Sequence, residues 1–209
     1  MRILYFLEDR AQEGFIKALV NRIAQDESIP LNSLKHDVRL ARDGSRAITE
    51  FKRFMKDTMQ SRSSDVDLLV VGIDGNCKEH RGQIRQLEQH IRGEHPLRDR
   101  VVYAVPNPHI ERWYMMDQRA FKNGVGVDRS PDMPPYKCKR DYYKRLLRGT
   151  LAELNVGSLL GGAEYAESIV ASITSLDSLR SQNAGFQTFV DGLRAFFRAR
   201  ARSRGSSHN

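Results

Sequence analysis

Two acids stand at the ends of apolar runs. Leu4-Tyr5-Phe6-Leu7 ends in Glu8, and Val70-Val71-Gly72-Ile73 ends in Asp74-Gly75-Asn76. Runs of this kind read as strands buried on both faces of a parallel sheet. In open α/β sheets, polar groups just past the carboxyl ends of strands lie where ligands and metals bind. If the two strands are neighbours, Glu8 and Asp74 share one end of the sheet. Two carboxylates held close repel each other, and a divalent cation is their natural neutraliser. Glu8, Asp74 and Asn76, with water, would form an oxygen-only shell that suits Mg2+ or Mn2+ rather than zinc. Such a metal activates water and stabilises a leaving oxygen in phosphodiester cleavage or transfer. Blander readings of the same residues stay open. Asp74-Gly75 can be a simple turn, and Glu8-Asp9 can cap the helix that follows.

A third segment, Val105 to Asp117, carries the only tryptophan, flanked by Glu111 and Asp117. On one helix, Trp113 reads as a core anchor and Glu111 points toward the first turn, above the sheet. Glu111 is either a solvated helix acid or a further ligand or base. Among six histidines, His80, His90 and His95 are spaced by ten and five residues, which does not fit a helical metal pair. His36 and His109 are isolated, although His109 would be a proton donor if it lay near the acids. Gly157-Ser158-Leu159-Leu160-Gly161-Gly162 lacks the lysine and preceding strand of a phosphate loop.

The elements that must position these residues alternate. Strands are expected at 3–7, 36–41, 66–73 and 100–105, with helices at about 12–25, 45–60, 79–92 and 110–116. That order implies a mainly parallel, Rossmann-like sheet of about four strands with helices on both faces. A Gly-, Asp- and Pro-rich loop follows from Asn123 to Pro135, then helices at about 139–154, 163–172 and 185–199. The expected division is an α/β core over 1–122, a helical extension packed on it over 123–199, and a disordered basic tail over 200–209.

Basic residues outnumber acidic ones by 34 to 26, a formal net charge of +8, which favours a polyanionic partner. The basic residues cluster: Lys137, Lys139, Arg140, Lys144, Arg145 and Arg148 form one group, and Arg194, Arg198, Arg200, Arg202 and Arg204 a second. The second reads either as a solvated end or as a phosphate-contacting surface. No apolar stretch approaches the roughly 18–20 residues of a membrane span. The opening residues are too soon acidic for a signal peptide. Cys77 and Cys138 are too few for a disulfide framework and are expected as reduced thiols in a cytoplasmic protein.

Taken together, the pattern resembles TOPRIM-fold proteins, the magnesium-dependent domain of topoisomerases, primases and overcoming-lysogenisation-defect nucleases. It is most similar to the small bacterial TOPRIM-like proteins encoded beside AAA- or ABC-type ATPases in anti-phage loci. Leu4-Tyr5-Phe6-Leu7-Glu8, Ile73-Asp74-Gly75-Asn76 and an IExWxxxD stretch ending at Asp117 carry the likeness. Weaker echoes lie at Lys137 to Tyr143 and Phe186 to Leu193. The resemblance implies a metal-dependent endonuclease acting on DNA or RNA in bacterial defence, with an ATPase partner and a possible homo-oligomer. It implies Glu8, Asp74 and Asn76 as metal ligands and Glu111 as a ligand or base. Lys137, Lys139 and Arg140 would stabilise phosphate, and Lys144, Arg198, Arg200 and Arg202 would join them in binding nucleic acid. The chain departs from the family in Asp9 for glycine, Gln12 for a second acid, and Asn76 for a second aspartate. These departures point to the alternative, a catalytically degenerate nucleic-acid-binding or regulatory subunit.

Overall fold

A computed structural model describes residues 1–59, 62–91, 95–139 and 141–205, with side chains as far as Arg202. Four strands, β1 (Arg2–Leu7), β2 (Lys35–Leu40), β3 (Leu68–Gly72) and β4 (Val101–Ala104), form one sheet in the order β2-β1-β3-β4. Every pairing is parallel, with Leu7 set between Leu40 and Gly72. Parallel neighbours need a crossover between them, and here α1 (Arg10–Asp26), α2 (Ala47–Phe54) and α3 (His80–Glu88) lie in those crossovers.

Strand alternation sorts the core into two layers. Ile3, Tyr5, Leu7, Leu68 and Val70 face one way, against Phe15, Ile16, Leu19 and Ile23 of α1. Leu4, Phe6, Leu69 and Val71 face the other way, against Phe51 and Phe54 of α2 and Leu87 of α3. α1 starts where Asp9 accepts the Gln12 N–H at 3.0 Å, a side-chain N-cap. The helix expected at 45–60 divides into α2 and a π-helical turn, Met55–Met59.

The remaining helices are α4 (Glu111–Met115), α5 (Gln118–Val125), α6 (Tyr142–Glu153), α7 (Ala166–Ser172), α8 (Leu176–Arg180) and α9 (Ala184–Gly205). Their buried residues join the α1 side of the sheet in a single cluster, so the extension has no core of its own. Trp113 holds the two parts together: it is 1% exposed, edge-on to Phe186 and stacked near Phe189, with ring centroids 5.2 and 6.1 Å away. Aromatic pairs at such distances contribute about 0.5–1.5 kcal/mol beyond the area they bury. α5 and α8 have no counterpart among the expected helices. α9 is helical through Gly205, so 200–205 are not the disordered stretch expected, and 206–209 lie outside the described residues. Among the described residues no helix is long and apolar enough to cross a membrane.

Candidate functional site

The chain leaves β1 toward β2 on one side and β3 toward β4 on the other, so the carboxyl ends of β1 and β3 flank a crevice. In open parallel sheets this topological switch point is where ligands bind. Glu8 directly follows β1, its N–H donating to Gly72 at 3.1 Å, and Asp74 lies two residues past β3. The Asp74 N–H donates to Glu8 Oε2 at 2.8 Å, which fixes the two acids side by side.

Asp74 is 1% exposed and its carboxylate is heavily engaged. Oδ1 accepts from Gln12 Nε2 at 2.9 Å and from the Ile110 N–H at 3.2 Å, while Oδ2 lies 3.0 Å from His109 Nδ1. Gln12 also accepts the Glu8 N–H at Oε1, at 3.0 Å. One buried amide therefore serves both strand ends, where the resembled family carries an acid. Sequence reading took Gln12 for a missing carboxylate. Its place one turn into α1, four residues after Glu8, was the only local signal of this role.

Ionisable groups are concentrated here away from the water that would screen them. Burial, and then the Asp74 charge, push the Glu8 carboxyl up to about 8, although the Asp74 N–H pulls the other way. Burial and Asp74 likewise push Glu111 up to about 7, with Lys144 opposing them. Glu111 is 6% exposed, and its Oε2 is buried with no hydrogen-bond partner. Burial disfavours the His109 imidazolium, but the Asp74 hydrogen bond and the charges of Asp74 and Glu111 outweigh it and raise its pKa. Burial also works against the Lys144 ammonium, and Glu111, Asp74, Asp9 and Glu8 together raise its pKa above the usual lysine value. Lys144, expected to contact nucleic acid, is thus the cation of the acidic centre, with Nζ 3.8 Å from Asp9. A cavity of about 260 Å³ opens beside it, lined by Asp9, Glu111, Tyr114, Lys144 and Arg148.

The remaining expected residues are placed differently. Asn76 is exposed, and its Nδ2 donates to the Asp74 carbonyl at 3.2 Å. The left-handed turn there is made by Asn76 and Cys77, with φ of 48° and 68°, rather than by Gly75. Gly75 serves close approach: its N–H donates to Pro106 at 2.7 Å, and a Cβ there would stand 3.1 Å from that oxygen. Lys139 and Lys137 are exposed, the latter with its ammonium 5.1 Å from the centre of the Tyr142 ring. Arg140 lies outside the described residues. Arg198 is bidentate to Glu27, both contacts at 2.8 Å, and Arg200 pairs with Asp67 at 2.9 Å. Arg202 is exposed near the end of α9.

The expectation of two reduced thiols is overturned. Cys77 and Cys138 form a disulfide with Cα atoms 5.4 Å apart. Asn107 brings the two loops together, accepting the Cys77 N–H and the Tyr136 hydroxyl at Oδ1, both at 3.1 Å. Thiol titration of the denatured, unreduced protein is expected to find no reactive thiol, and two after a dithiol reductant. Two thiols before reduction would contradict the pairing.

Among the described residues, no group of three or more His, Cys, Asp or Glu side chains is gathered so that it could hold a metal ion. Comparison with protein-family models, with curated proteins and with solved structures returned no match.

Proposed function

We propose that this chain is a divalent-cation-dependent phosphodiesterase of TOPRIM type that cleaves nucleic acid. One observation carries the reading. At the switch point of a parallel sheet, burial and the Asp74 charge together raise the carboxyls of Glu8 and Glu111 to about 8 and about 7.

The donor chemistry fits a hard cation, because every candidate ligand is a carboxylate oxygen. Glu111 Oε2 has no partner, and Glu8 Oε1 accepts no hydrogen bond among the described residues. Glu8 and Glu111 would therefore hold the ion. Asp74, already answered by three donors, would place them and His109. When bound, Mg2+ or Mn2+ supplies Lewis-acid stabilisation and a more acidic water. The chain supplies the rest. His109, oriented through Nδ1 and with its pKa raised beside Asp74, would give a proton to a leaving oxygen in its protonated form. Lys144 offers positive charge to a phosphate in the adjoining cavity. The family resemblance adds the setting of anti-phage defence beside an ATPase.

Cleavage of plasmid DNA and of RNA, with Mg2+ or Mn2+, tests the reading. Glu8→Gln and Glu111→Gln are expected to lower the rate about 100-fold or more while the fold is kept. Cleavage at the wild-type rate in both variants would sink it.

A second reading rests on a different observation. Asn76 turns its amide to the backbone and both Asp74 oxygens are hydrogen-bonded, as in a centre that binds or regulates without catalysis. Calorimetric titration separates the two. Absence of Mg2+ binding at millimolar metal, with or without an oligonucleotide, favours the non-catalytic subunit.

A further inference from the structure

We infer that the cleft between β2 and α2 is a nucleic-acid-binding groove that runs past the loop covering Glu8. The inference rests on the reading above only for the identity of the polyanion.

Two adjoining cavities, of about 700 and 300 Å³, run along the edge strand β2 and share Arg39, Phe54 and Thr58. Arg39 projects from β2, Arg42 from the loop after it, Arg53 from α2, and Arg62 from the chain beyond. None of these four guanidinium groups is in an ion pair or hydrogen bond among the described residues. Two of the three acids lining the larger cavity have their oxygens engaged by hydrogen bonds within the loop. Both Glu50 oxygens accept backbone N–H groups, those of Arg42 and Asp43, at 2.9 and 3.1 Å. Asp43 accepts the Ser45 N–H and hydroxyl at 2.9 and 2.8 Å and lies 3.6 Å from Arg46. Asp57 is the third acid of that lining, and the four arginines there, Arg39, Arg42, Arg46 and Arg53, outnumber the three acids.

The loop is thus a braced scaffold that carries one free guanidinium fork, Arg42, with those of Arg39, Arg53 and Arg62 on the elements around it. Such forks match the two oxygens of a phosphate in plane, and a fixed backbone lowers the entropy lost on binding. The contrast with α9 is direct, since its Arg194, Arg198 and Arg200 are taken up by Asp177, Glu27 and Asp67. The groove also points somewhere. The back of its loop rests on the acidic site, where a Cβ on Gly44 would stand 2.7 Å from Glu8 Oε1. A phosphate chain held by the arginines would therefore lie across that loop from Glu8. The elongated form favours a polymer over a free nucleotide, and the loop is no glycine-rich phosphate cradle.

The test is fluorescence anisotropy of a labelled single-stranded oligonucleotide in EDTA, where cleavage plays no part. The combined variant Arg39→Ala, Arg42→Ala, Arg53→Ala is expected to bind about tenfold more weakly or worse. Its salt dependence should fall by a slope of about 2, three lost contacts at roughly 0.7 each. All three side chains are exposed, so the melting temperature should stay at the wild-type value, and Arg53→Glu alone should shift affinity the same way. Unchanged affinity and slope in the combined variant would overturn the groove, as would wild-type protein that binds no oligonucleotide. ATP or inorganic pyrophosphate competing as well as the oligonucleotide would also overturn it, by marking a small-anion site. The cleavage reading is judged separately, by the Glu8→Gln and Glu111→Gln rates.

Discussion

Asp74→Ala is expected to cost about 3–5 kcal/mol at pH 7, the range for stranding the partners of a buried charged group. The variant leaves Gln12 Nε2, the Ile110 N–H and His109 Nδ1 facing a void, in a place with 1% exposure. Part of the loss is returned, because Asp74 also repels Glu8 and Glu111. At pH 7 that relief is partial, since Glu8, at about 8, still largely holds its proton while Glu111, at about 7, is about half ionised. Above pH 8 it grows, and the penalty should shrink accordingly. Asp74→Asn keeps an oxygen for Gln12 and Ile110 and turns an NH2 toward His109, so about 1 kcal/mol is expected. Urea unfolding of the three proteins at pH 6, 7 and 9 checks both the ranking and its trend. Equal losses for alanine and asparagine would mean that the hydrogen bonds do not set the cost.

The second large effect is a fall of stability with rising pH. Glu8 and Glu111 bind protons more tightly in the folded chain, at about 8 and about 7, than at the ordinary 4.5. Between about pH 4.5 and 8 the native state therefore holds protons that the unfolded chain has released. Stability is fully present below that window and is lost as pH rises through the folded values. His109, also raised, acts in the same direction above its ordinary 6.5. At about 1.4 kcal/mol per unit, the total is on the order of several kcal/mol. Glu8→Gln keeps an acceptor for the Asp74 N–H and removes one proton from the balance. It should melt like wild type near pH 5 and roughly 5–10 °C higher at pH 8. If the acids bind a cation, millimolar Mg2+ should raise the wild-type melting temperature at pH 8 and leave Glu8→Gln nearly unmoved. Parallel melting profiles for the two proteins from pH 5 to 9 would refute the account.

Glu8 and Asp74 were legible because the rule that reveals them is local: an apolar run that stops at an acid. The four strands and the longer helices were legible for the same reason, through period alone. What escaped depends on partners far along the chain. Gln12 gains its role from a residue 62 positions away. Arg198 and Arg200 form a dense basic string in sequence, yet their acids lie 171 and 133 positions off. Glu111 is one acid in a five-residue helix, and nothing in that helix reports that it is buried. The disulfide is hidden likewise, since two cysteines 61 residues apart carry no sign of meeting. The missed helices, α5 and α8, span eight and five residues, too short for a period to stand out.

The position of β1 between β2 and β3 has a consequence for how the chain is made. Glu8 leaves the ribosome 66 residues before Asp74. Through the synthesis of β1, α1 and β2 it is an ordinary carboxyl in water, free to ionise. Parallel neighbours cannot close through a tight hairpin, so β3 reaches β1 only after a long crossover has been synthesised. Glu111 and Lys144 arrive later still. The nascent chain thus builds its first β-α-β unit without meeting the repulsion among its acids. That repulsion begins only when β3 brings Asp74 to β1, and Lys144, on a later segment, supplies the cation that eases it.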